Sequence, residues 1–117
     1  RAQDQNSSLS GINVHADFAA VNVNFWITPT EANLDSSSGG LVIHNVEAPM
    51  NWNFNMYNSD ENKIRGEIER SLGGKTVVPY RGNRIVLFNS NLFHETDIYK
   101  LYYNHNCNID TMCFISI

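Results

Sequence analysis

From Val21 to Thr28 the chain alternates without a break. Val21, Val23, Phe25 and Ile27 fall on one side, and Asn22, Asn24, Trp26 and Thr28 on the other. A period of two belongs to a strand. Pro29 ends it. Alternation alone leaves open which side looks inward. Upstream, GINVHADF is a shorter, mixed strand. Downstream, EANLDSSSGG reads as a loop whose Gly39-Gly40 pair releases the chain into a further strand, LVIHNV. In PMNWNFNMYNSD, Trp52, Phe54 and Met56 recur every second residue, which predicts an irregular strand or a lid. Residues 60–72 carry the one helical period. There Ile64, Ile68 and Leu72 form a stripe, Ser59 or Asp60 is placed to cap, and Glu61–Arg65 and Lys63–Glu67 are favourable pairs. Gly73-Gly74 supplies the stop. KTVVPY, RIVLFNS and a C-terminal pair around IYKLYY and IDTMCFISI complete the strands. Short strands, Gly/Pro/Asn turns and one inserted helix predict a mainly all-β fold, a small barrel or jelly roll.

Length narrows this to a single domain. A chain of 117 residues supports one modest core, expected over residues 11–117 behind a polar leader at residues 1–10. Twelve acidic against eight basic side chains give a formal charge of -4. Nothing in the sequence forms the basic stripe that nucleic acid requires, and anionic membrane surfaces are disfavoured for the same reason. No apolar run approaches the length of a spanning helix. The expectation is a soluble, cytoplasmic protein of undetermined oligomeric state. Cys107 and Cys113, if they share one strand, are roughly 20 Å apart, well beyond the ~4.4–6.8 Å Cα separation of a disulfide. Two free thiols fit a reducing compartment.

The strongest chemical signal is His15-Ala16-Asp17. Residues i and i+2 of a strand point the same way, so an imidazole and a carboxylate converge on one side. One further histidine from another strand completes a two-His, one-carboxylate set that holds a divalent metal and leaves positions open. His94, at the end of the RIVLFNS region, is placed for that role. On spacing alone, His15 bonding to Asp17 is the competing reading. His44 and His105 read as packing or surface residues, and Glu95 either supports the site or is exposed. Gly73-Gly74-Lys75-Thr76 ends like a phosphate-binding loop, but Glu69 stands where its first glycine belongs and a helix precedes it. Neither cysteine lies in a zinc-ligand pattern.

These residues, with HADFAAVNVNFWITPTEANLDSSSGGLVIH and PYRGNRIVLFNSNLFHETD around them, resemble the iron(II)- and 2-oxoglutarate-dependent oxygenases. The stretch Pro79, Gly82, Phe88 ahead of the distal histidine belongs to the same resemblance. It implies a double-stranded β-helix of the cupin-like jelly-roll type, with Fe(II) on His15, Asp17 and His94 and 2-oxoglutarate as co-substrate. The implied activity is a dioxygenase, in particular a hydroxylase, acting on a small-molecule or peptide substrate. The family's arginine for the co-substrate's far carboxylate falls at Asn108, with Asp110 beside it. An amide offers neither the charge nor the fork of a guanidinium, so 2-oxoglutarate should bind weakly unless Arg84, Lys75 or Lys100 replaces it. Asn24, on the polar-and-aromatic face with Asn22 and Trp26, is a further expected co-substrate contact. Only 14 residues precede His15, which leads us to expect a partial or divergent member. The alternative is a non-catalytic jelly-roll module that binds a metal or a ligand.

Overall fold

A computed structural model gives the fold of residues 12–97. Five strands form two antiparallel sheets, with two helices inserted. The first sheet pairs β1 (Val21–Trp26) with β4 (Arg84–Asn89), from Val21 opposite Asn89 to Trp26 opposite Arg84. The second has the order β3-β2-β5, with β2 (Leu41–Glu47) between β3 (Lys75–Val78) and β5 (Leu92–Thr96). His15 adds a single bridge to His94 at the free edge of β5. Its main-chain bonds are 3.0 Å from His15 N to His94 O and 2.9 Å in return. Three of the pairings are nested, while that of β2 with β5 crosses that of β1 with β4. β2 meets β3 innermost, β1 meets β4 around them, and His15 meets His94 outermost.

Alternation in β2 and β5 divides the core in two. Leu41, Ile43 and Leu92 face the first sheet and pack with Trp26, Val86 and Phe88. Val46 and Phe93 face the other way, onto Ile64 and Ile68 of the helical layer and onto Val14 and Ala16. With apolar side chains on both faces, β2 reads as the continuous run LVIH rather than an alternation.

The inserted layer departs from expectation. A closed jelly roll is not observed among the described residues, which form a mixed β/α arrangement of two small sheets and a helical insert. The insert holds α1 (Phe54–Asn58) and α2 (Glu61–Ser71), so there are two helices where one was expected. α1 replaces the irregular strand or lid. Asn53 accepts from the Met56 amide at 3.1 Å and starts a helical turn that overrides the period-two aromatics. Trp52 packs against Phe93 at 6.0 Å between ring centres, while Phe54 is half exposed.

α2 follows the expected limits, with Asp60 accepting from the Lys63 amide at 3.1 Å. Its stripe is one residue shorter than expected. Leu72 lies past the last turn in the left-handed conformation, φ 52°, and is 92% exposed. Gly73 then passes so close to the Asn45 carbonyl that a Cβ would collide with it. Lys63 lies over the Trp52 ring at 5.2 Å, and Glu67 pairs with Arg70.

Arg65 ties α2 to the sheet. Its Nη1 and Nη2 donate to Glu95 Oε1 and Oε2 at 2.8 and 2.6 Å, and Nη2 also reaches Glu61 at 3.2 Å. His44 Nε2 donates to the same Glu95 Oε1 at 2.9 Å. Glu95 is thus half-buried and fully paired, and His44 is a packed residue as expected. The Arg65 guanidinium, with His44 beside it, holds the Glu95 carboxyl below its ordinary value of 4.5. A carboxyl depressed in the folded state stabilises the fold above the unfolded pKa, and this contribution is lost as pH falls through the folded value. Arg65→Met should lower stability by roughly 1 kcal/mol near neutrality, a partly screened pair, and flatten the acid limb of stability against pH. Urea midpoints of both proteins across pH 2–7 measure this. Parallel limbs would place Arg65 outside the link.

Candidate functional site

His15 and Asp17 owe their orientation to their neighbours. Val14 and Ala16, 2% and 1% exposed, anchor on the helical side of the sheet. The intervening His15 and following Asp17 are thereby turned to the opposite side, where β5 presents His94. One ligand atom from each of the three lies within 4.8 Å of the others. His94 Nε2 is 3.2 Å from Asp17 Oδ2, and His15 Nε2 is 3.6 Å from Asp17 Oδ1. Adjacent donors held at 2.0–2.2 Å from one ion sit about 3 Å apart. The two imidazole–carboxylate separations are close to that spacing.

Both imidazoles are fixed from behind. His15 Nδ1 donates to the Asn13 carbonyl at 2.7 Å and His94 Nδ1 to the Leu92 carbonyl at 2.8 Å. With Nδ1 engaged on a main-chain carbonyl, each ring turns Nε2, the atom a metal ion would take, toward Asp17. The rings lie 4.4 Å apart, and Phe88 closes edge-on over His94 at 4.8 Å. Hydrogen bonding from His94, aided by Asn22 and by the charge of His15, holds the Asp17 carboxyl down to about 2 from an ordinary 3.8. It is a carboxylate at any physiological pH.

Asn22 links the set to the scaffold. Its Nδ2 donates to Asp17 Oδ2 at 2.6 Å and stands 3.1 Å from His94 Nε2, while its Oδ1 accepts from Ser90 Oγ at 2.9 Å. Ser90 is fully buried, and its carbonyl takes the Asp17 amide at 3.0 Å. The polar face of β1 is accordingly the inward one, with Asn22 and Asn24 at 5% and 9% exposure. Sequence reasoning named that face as able to line a pocket but missed the joint hold of Asn22 and Ser90 on the carboxylate. The available signal was an asparagine five residues from Asp17 at the start of the alternating strand.

Beside the triad is a cavity of about 80 Å³, walled by Leu41, Phe88 and Thr96 and reached by Asn24. Among the described residues lining it there is no lysine or arginine, and the acidic ones are Asp17 and Glu95. Arg84 is on the inward face of β4 but opposite Trp26, outside the cavity, with Nη1 donating to the Pro79 carbonyl at 2.6 Å. Lys75 is exposed on β3. Asn108, Asp110, Lys100, His105, both cysteines and the expected C-terminal strands lie outside the described residues.

No helix among the described residues is long and apolar enough to cross a membrane. The cluster of His15, Asp17 and His94 resembles a two-His, one-carboxylate facial triad. Set beside known proteins, the chain matches no family model, no curated protein and no solved structure.

Proposed function

We propose that this chain is a divalent-metal module of the non-haem iron oxygenase type, with Fe(II) on His15, Asp17 and His94. One observation carries the reading: two histidines with Nδ1 bound to main-chain carbonyls turn their Nε2 atoms toward one ionised carboxylate. That donor set fits Fe(II), which, when bound by two imidazoles and a carboxylate, supplies dioxygen activation. The nested pairings support the jelly-roll form of the fold, since folding a long antiparallel ribbon across two sheets gives this order.

The chain's own residues divide the remaining work. The Asn13 and Leu92 carbonyls set the tautomers, Asn22 and Ser90 orient Asp17, and Phe88 and Leu41 keep the approach apolar. 2-Oxoglutarate does not fit the described residues, because none of those lining the cavity offers its far carboxylate a cation. That same feature favours a second reading, a metal-binding module without oxygenase activity. Oxygen consumption by the Fe(II)-loaded protein separates the two.

Calorimetric titration with Mn(II), a surrogate that does not oxidise in air, tests the metal reading. One ion per chain is expected. Asn22→Leu should weaken uptake by about 10–100-fold, the usual effect of removing a ligand's outer partner. Absence of uptake by the wild-type chain would end the proposal. Unchanged affinity in Asn22→Leu would deny Asn22 its orienting role.

A further inference from the structure

Asn24 is the polar side chain of the inner face that the triad does not use. It is 9% exposed, lines the cavity, and its amide has no hydrogen-bond partner among the described residues. Nor is it sealed away, since no fully buried side-chain nitrogen or oxygen lacks a partner. The amide opens into the cavity. Asn24 follows Asn22 by one strand period, which places it roughly 7 Å further along the same face, and Asn22 already touches Asp17.

Charge decides what the amide can receive. A divalent ion on Asp17 leaves one net positive charge, and a chelating carboxylate cancels it. A second carboxylate at Asn24 would then be stripped of water among Leu41 and Phe88 with no cation among the described lining residues. Burying an unpaired charge is strongly disfavoured. A carboxamide both donates and accepts, so it pairs with an amide, an ester or a hydroxyl without that penalty.

We infer that the site takes a metal-chelating ligand whose far end is an uncharged hydrogen-bonding group held by Asn24, an inference that rests on the metal reading above. The described lining residues thus favour it over the dianionic co-substrate that the sequence resemblance implies. The three positions left open by two imidazoles and a carboxylate give such a chelator its place.

The test uses the full chain loaded with Mn(II) and two probes with the same chelating end, 2-oxoglutarate and its 5-methyl ester, each titrated calorimetrically. The ester should bind at least tenfold more tightly. Asn24→Leu should remove that preference by weakening the ester at least tenfold, with Mn(II) uptake retained as evidence of an intact fold. Asn24→Ser serves if the leucine variant does not fold. Equal or tighter binding of 2-oxoglutarate overturns the inference, as does ester binding indifferent to Asn24. Mn(II) uptake with neither probe binding overturns it too while leaving the metal reading standing. Failure of the wild-type chain to take up Mn(II) overturns the metal reading itself and this inference with it.

Discussion

Replacing His94 with alanine should abolish stoichiometric metal uptake, weakening Mn(II) binding by more than about a hundredfold, the upper end of what losing an outer partner does. The imidazole is the most enclosed of the three, with its side chain 7% exposed against 18% for His15 and 23% for Asp17. Its removal leaves one nitrogen and one carboxylate, a pair that solvent-exposed surfaces offer in abundance without holding an ion. His94 also packs on His15 and Phe88, so the variant's unfolding midpoint must be measured beside its affinity. His94→Gln, which keeps more of the volume, separates the two effects. Wild-type affinity in a folded His94→Ala protein would remove His94 from the site.

Phe93→Ala should have the largest effect on stability, about 3–5 kcal/mol for a large buried aromatic. Phe93 is 0% exposed and sits among Val14, Ala16, Val46 and Ile64, with Trp52 against its ring. Against a total of about 5–15 kcal/mol for a typical domain, such a loss brings the fold near its limit. Positions 93 and 94 point to opposite faces of β5. Neighbouring substitutions should therefore separate, one acting mainly on the fold and the other mainly on the ion. Urea unfolding of the metal-free proteins reads the first. A loss below about 1 kcal/mol would mean the Phe93 environment collapses around the smaller side chain.

The triad was legible because its geometry is local at one end. His15 and Asp17 share a parity around the buried Ala16 and converge through local backbone alone, although the expected strand over GINVHADF is reduced to the single His15–His94 bridge. α2 was legible for the same reason, since its cap lies in its own first turn. α1 was hidden because Trp52, Phe54 and Met56 fit a strand period, while the side chain that starts the helix, Asn53, also suits a turn. The inward face of β1 runs against hydrophobicity. Val21 and Ile27 are 42% and 45% exposed while the asparagines are buried, so a rule that sends apolar residues inward chooses the wrong side. The Arg65–Glu95–His44 link joins residues 30 and 51 positions apart. No local pattern announces such a contact, and the sequence offered Arg65 a nearer partner in Glu61.

The nested pairings also bear on how the chain reaches this state. Ile12 meets Thr96 across 84 residues and Asn22 meets His94 across 72. Topologies rich in such distant partners fold slowly, on the order of milliseconds to seconds, because loop closure precedes any reward. Among the described residues the triad joins the outer parts of the ribbon and exists only once the His15–His94 pairing is made. An ion held there would act as a clasp on the finished fold, its influence falling on the rate of opening and leaving the rate of assembly to the inner strands.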